Sequence, residues 1–437
     1  MKKITTNKTL VLLGIFLALS IFPLPDLITI NDYNKQRFSQ VALIIVTIKY
    51  LLLYDNLSFF YKSISFIIFS LGLTSALLSQ SLLTSTLNFT HIFLLCSIIG
   101  LGYKEEENFT SILYLLFLAN LIVISLSLLD YSFFIFNNNG SSFSDVHFRF
   151  SNVRFFNQFQ IITIFSLFYA LFNPHTKRLA FIFIFINFFL MLQTGARGAI
   201  ISLFIVLSLS SLLKLNKEIK KILITIFNTF LLSLCFFLIF NYLTNENQLI
   251  YTFRGSSSGR IELWLELLEN LTFKNILIGN GPGTYQSDFF ALSHPHNSFL
   301  QILINWGGIS AILFATLIII TNRYLLKKAK LMNTEVFFVY LAFNGLIFYS
   351  FFSGIIVMPL PQTFLFLFWG MLLSYISNDS KNCIINLNYR NFFLLAIIAF
   401  IFIVLVLLSK KCVDNLHYGP SYWNHGKISL LTCKVSY

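Results

Sequence analysis

Long apolar runs constrain this chain more than any motif it carries. A helix needs about 20 apolar residues to cross roughly 30 Å of hydrocarbon. The sequence supplies such runs near residues 9–25, 37–54, 63–80, 86–103, 109–130, 159–173, 179–193, 199–213, 222–243, 298–320, 335–353, 362–377 and 391–409. With 57% apolar residues, 53 phenylalanines and only 11% charged residues, a soluble globule is excluded, since its charged share would be nearer a quarter. The expectation is an all-α polytopic integral membrane protein with about 12–13 transmembrane helices. Lys2, Lys3 and Lys8 before the first run resemble the start of a signal peptide. Pro23 and Pro25 close the run, and it is expected to remain as a first helix. The spans divide the chain into N-terminal membrane helices (1–243), a large loop (244–297), C-terminal membrane helices (298–409) and a tail (410–437).

Lysine and arginine positions give the orientation, because cytoplasmic loops carry the excess of both. With the N-terminus inside, the inside loops hold Lys177, Arg178, Lys214, Lys217, Lys220 and Lys221. They also hold Arg323, Lys327, Lys328, Lys330, Lys381 and Arg390, while the opposite turns near 79–85 and 354–362 carry no charge. Lys410 and Lys411 run against the rule. Thirteen spans put the tail outside and twelve put it inside. In the outside case Cys412 and Cys433, 21 residues apart, either pair in an oxidising compartment or stay as free thiols. The outer face then receives segments 131–158, 194–198, 244–297 and 358–361, where the unusual polar chemistry gathers.

The densest of that chemistry lies in residues 254–310, a polar island between apolar spans, and such islands mark working surfaces in membrane proteins. Within it, residues 259–271 have helical periodicity. Ile261, Trp264, Leu265 and Leu268 are expected to share the inward face, with Glu262, Glu266 and Glu269 facing water. Arg260 falls on the Trp264 side, in a first turn where free N–H groups favour an anion. Ser256, Ser257 and Ser258 are candidate caps, and Arg254 is close enough in sequence to join. A guanidinium suits phosphate oxygens; the plainer role for Arg260 is a pair with Glu262. Arg197 sits in a tight TGARGA turn, where flanking glycines admit a close ligand. The alternative there is an arginine snorkelling from a helix end. The segment His294-Pro-His-Asn297 precedes an apolar run. His296 and Asn297 read either as a proton acceptor with a polar neighbour or as a helix-capping pair. No third or fourth ligand of sensible spacing supports a metal. Walker and dinucleotide-fingerprint patterns are absent.

TGARGA at 194–199, GRIELW at 259–264, IGNGPGTY at 278–285 and HPHNSFLQILINWGGIS at 294–310, in that order, resemble the O-antigen ligase and polymerase superfamily. The ligase pattern of His, a polar residue, nine residues and Gly fits His296, Asn297 and Gly307, and departs at Ser310. NVRFFNQFQ at 152–160 resembles the polar stretch that precedes a mid-chain helix in such proteins, adding Arg154. The resemblance implies a GT-C-like membrane fold and an inverting, metal-independent glycosyltransferase without cofactor. It would move a glycan from undecaprenyl pyrophosphate, on the periplasmic side of the bacterial inner membrane, to an acceptor hydroxyl. The acceptor would be lipid A-core in a ligase and another repeat unit in a polymerase; transfer onto protein is a third possibility. By motif, Arg197 and Arg260 would hold the pyrophosphate with Arg154 and Arg254 as further candidates, His296 would be the base, and Asn297 and Trp264 would support it. Membrane lipids, not nucleic acid, are the expected surroundings. Two rival classes are a transporter for lipid-linked sugar, which should show internal repeats, and a non-catalytic scaffold, in which Arg197, Arg260 and His296 would be replaceable.

Overall fold

A computed structural model describes residues 8–22, 30–105, 108–137, 150, 152–211, 217–244, 259–285, 287, 292–329, 332–377, 388–409 and 421–423. Among these residues the protein is all α, with no strand. The first helices are α1 (Lys8–Ile21), α2 (Asp32–Thr47, continued by a 3-10 helix at Ile48–Asn56), α3 (Phe59–Leu77), α4 (Leu82–Lys104) and α5 (Phe109–Asn137). Then come α6 (Val153–Ala170), α7 (Lys177–Gln193), α8 (Arg197–Ser211), α9 (Lys217–Thr244), α10 (Arg260–Glu269) and α11 (Phe273–Ile278). The last are α12 (Ser298–Trp306), α13 (Gly308–Lys327), α14 (Thr334–Tyr349), α15 (Pro359–Ile376) and α16 (Tyr389–Leu408). Eight helices among the described residues are long and apolar enough to cross a membrane, and α1, α8 and α14 are shorter apolar helices. This is a multi-pass membrane protein.

Each expected span meets a helix, but the run at 298–320 is not one rod. It breaks at Gly307, where φ is +88° and ψ 163°, a region open essentially to glycine alone. A Cβ there would lie 2.2 Å from the Leu277 carbonyl oxygen, so α11 passes too close for any side chain. The hydrophobic period continues across the break, which is why the sequence reads as a single span.

The chain folds as two compact units, one of residues 1–22, 107–256 and 326–349, the other of 23–106, 257–325 and 350–437. In the first unit, α6 packs against α5, α7 and α14 and is buried along nearly its whole length. Lipid gives apolar helices little reason to associate, so polar side chains supply the specificity. Asn120 of α5 donates to the Thr163 hydroxyl of α6 (2.7 Å), and Asn187 of α7 donates to the Asn120 side-chain oxygen (3.0 Å). Gln160 of α6 donates to the Asn187 side-chain oxygen (3.3 Å), so three helices share one network.

In the second unit, α15 is the central helix, with 89% of its apolar window inside the protein. It crosses α4 at close range. A Cβ on Gly370 would lie 2.0 Å from the Ile99 carbonyl oxygen, and one on Gly102 would lie 2.2 Å from that of Leu367. Small residues at such a crossing let backbones approach, which is how membrane helices gain dispersion energy without a hydrophobic drive.

Candidate active site

In the second unit, the His-Pro-His-Asn segment forms a turn ending in a helix start. The Asn297 side chain accepts from the amides of Phe299 and Leu300 and caps α12. The capping role weighed for this pair therefore belongs to Asn297. His296, one residue earlier, is half-buried and has φ +55°, the one non-glycine residue with positive φ among those described. Holding a residue in a sparsely populated region costs about 1–3 kcal/mol and persists where neighbours over-determine it. Those neighbours are visible. The Ser298 amide donates to the Ser350 carbonyl (2.8 Å) and its hydroxyl to that of Ser353 (3.1 Å), pinning the turn to the start of the segment before α15. The His294 ring is buried, and a Cβ on Gly354 would come within 2.8 Å of it. The His294 and His296 ring centroids lie 4.1 Å apart, edge to face.

The helix carrying Arg260 is fastened to the same turn. The Trp264 indole N–H donates to the Pro295 carbonyl at 2.8 Å, immediately before His296. Leu267 of α10, Tyr285 of the glycine loop and Ile304 of α12 form a small shared core, with Leu271 and Leu300 against it. Arg260 is the first helical residue, half-buried, on a Gly259 cap in the left-handed region. Arg260 and Trp264, four residues apart, share one side of α10.

The rest of the helix face departs from the expectation. Ile261, Leu265 and Leu268 are 55%, 53% and 50% exposed, while Leu263 and Leu267 are buried at 1% and 5%. Glu266 does not point into water: it accepts a hydrogen bond from the Ser287 hydroxyl at 2.7 Å. The packed stripe is thus rotated by roughly one residue, about 100°. In a membrane protein apolarity marks lipid-facing and protein-facing sides alike, so periodicity alone misplaces the buried stripe.

The IGNGPGTY segment closes beneath the turn. The Asn280 amide donates to the Ile304 carbonyl (2.7 Å) and the Gly281 amide to that of Asn305 (3.3 Å), satisfying acceptors at the end of α12. These glycines shape the floor of the site and present no reactive group.

In the first unit, Arg197 is the exposed first residue of α8 and Arg154 lies exposed in the first turn of α6. The Thr194 hydroxyl donates to the Asn157 side-chain oxygen at 3.0 Å, joining the TGARGA turn to the start of α6. The two arginine-bearing helix starts are therefore neighbours. Arg254, Ser256, Ser257, Ser258, Cys383, Cys412 and Cys433 lie outside the described residues.

One charged residue escaped the sequence reading. Arg37 of α2 is 3% exposed, and the groups it donates to are polar side chains and backbone carbonyls, none a carboxylate. It donates to Gln40 (2.6 Å), Gln362 (3.2 Å), Tyr33 (2.9 Å), the Tyr422 carbonyl (3.2 Å), the Val357 carbonyl and His91 (3.0 Å). An arginine inside a spanning segment is itself a signal, as is the polar spacing Tyr33, Gln36, Arg37 and Gln40 on one helix face.

Residues 180–315 match a family model described as O-antigen ligase. That stretch contains Arg197, Arg260, Trp264, His296, Asn297 and Gly307, and leaves out Arg154. No curated protein matches the chain.

Proposed function

Since residues 180–315 match a family model described as O-antigen ligase, we propose that the chain is a member of that superfamily and transfers an O-antigen-type glycan from undecaprenyl pyrophosphate to a hydroxyl of lipid A-core. The family match supports a membrane glycosyltransferase in general; the donor and acceptor are our assignment. The observation that carries it is the Trp264–Pro295 hydrogen bond, which fastens the Arg260 helix to the His296 turn within the matched residues.

The reaction is a single displacement. The acceptor oxygen forms a bond to the anomeric carbon as the carbon–phosphate oxygen bond breaks. The hydroxyl proton passes to His296, and the electron pair leaves on undecaprenyl pyrophosphate, so the anomeric configuration inverts. Pyrophosphate already leaves readily, and the protein's main task is to neutralise the charge that builds on it. We assign that task to Arg197 and Arg260, with Arg154 and Arg254 as further candidates. Removing one preorganised donor to a developing charge typically costs about 10²–10³ in kcat. A general base within reach of the hydroxyl adds roughly 10²–10⁴. The strained backbone at His296 fits a group held in one orientation. The lysine and arginine bias supports a periplasmic position for this face, where the activated donor would supply the energy.

The test is a deletion strain examined on a lipopolysaccharide gel, complemented by variants made at normal levels. Loss of the whole ladder with accumulated lipid-linked polymer is expected. Full activity in both Arg260→Ala and His296→Ala would sink the assignment. A second reading, polymerase, draws on Ser310, which departs from the ligase pattern; its signature would be a single repeat unit capping the core.

A further inference from the structure

The second unit holds a cavity of about 60 Å³ beside α12, with Ser293, just before the His294–Asn297 segment, on its wall. Arg37, His91, Gln301, Asn305, Trp306 and Tyr422 line it. Gln301 and Asn305 stand four residues apart and so share one face of α12. Both are more than nine-tenths buried, and neither side-chain oxygen has a hydrogen-bond partner among the described residues. The Tyr422 hydroxyl, 4% exposed as a residue, is likewise without one. His91 is 2% exposed. Arginine has no acceptor, so Arg37 must donate to His91 Nε2, which leaves the proton on Nδ1. That buried N–H also has no partner.

Buried polar groups are costly to leave unpaired, and here four of them gather around one cavity. Their chemistry selects the occupant. Amides, a hydroxyl and an imidazole N–H together need a group that both donates and accepts, whichever way the amides are turned. A phosphate only accepts, and the charge of Arg37 is already surrounded by neutral acceptors. Sugar hydroxyls do both, and Trp306 and Tyr422 supply aromatic walls. A water occupies about 10–15 Å³ on the same measure, so the cavity takes about four to six heavy atoms, one edge of a pyranose ring. It begins about 6 Å along the helix from the Asn297 cap, at roughly 1.5 Å per residue, a spacing of about one sugar unit.

We propose that this cavity is a saccharide subsite, in which Gln301, Asn305, His91 and Tyr422 hold the hydroxyl edge of a glycan residue near the reacting end. The proposal rests on the transferase reading above and names positioning residues for it, Arg37 acting through His91.

The experiment uses the full-length protein in nanodiscs. Tryptophan emission is titrated with N-acetylglucosamine, galactose and glucose, and separately with inorganic pyrophosphate. A saturable response to at least one sugar is expected, weakened about 10-fold in Gln301→Leu and in Asn305→Leu, with the pyrophosphate response unchanged. Both variants should melt no earlier than wild type, since each removes an unpaired buried group. If either fails to fold, Gln301→Met and Asn305→Ser carry the same test. Absence of any sugar response, or one untouched by the substitutions, means the cavity holds only water and overturns the proposal. Loss of the pyrophosphate response instead makes it an anion site and also overturns it. In a glycan transfer assay the variants should raise KM for the acceptor or donor glycan while kcat is retained. Transfer with unchanged KM in both variants refutes the subsite and leaves the transferase reading standing. Sugar binding in a wild-type protein that transfers nothing refutes the transferase reading and leaves the subsite.

Discussion

Single residues at the turn before α12 separate chemistry from support. His296→Ala is expected to lower kcat by roughly 10²–10⁴ at normal protein levels, measured by transfer in membranes. Asn297→Ala should act on folding instead, lowering stability by about 0.5–2 kcal/mol through loss of the α12 cap, whereas Asn297→Asp should restore most of it. Thermal melts of the two variants decide. Trp264→Phe keeps an aromatic ring but loses the donor to Pro295, so it should cost about 0.5–1.5 kcal/mol and loosen His296. Histidine, asparagine and the arginines were legible in sequence because their types and order are unusual in an apolar chain. Arg37 was not read: beyond Tyr33 and Gln40 on its own helix, its partners come from residues 91, 357, 362 and 422, and only folding brings those together.

Helices show the same division. The positions of the spans could be read directly, since one solvent, hydrocarbon, imposes one length on them all. The break at Gly307 could not, because it depends on how close α11 comes. Gly307→Ala puts a side chain into both a forbidden backbone region and the Leu277 carbonyl, and should cost at least about 1–3 kcal/mol. The measurement is a melt of purified protein, and a wild-type transition would refute the packing described. The buried stripe of α10 was misplaced for a different reason: an apolar residue at a membrane edge has two good environments, and only one is protein. Leu267→Ala should therefore be far more damaging, about 2–5 kcal/mol, than Leu265→Ala, which should be close to neutral.

For the molecule as a whole, the two units are held by different means. Asparagine, glutamine and threonine join α5, α6 and α7 in the first, while glycine contacts join α4 and α15 in the second. Gly370→Leu should prevent α15 from seating on α4 and leave little folded protein on size exclusion, and near-normal yield would sink that account. Trp264, Trp306, Trp369 and Trp423 are the four tryptophans of the chain, and all fall in the second unit. Trp264 on α10 donates to the candidate catalytic turn at Pro295, and Trp423 donates to Ser409 at the end of α16. The protein thus carries its own optical label on one half. Indole emission follows the unit with the histidine turn and its neighbouring cavity while the other half stays dark, so denaturation monitored by emission and by circular dichroism can be timed as two separate events.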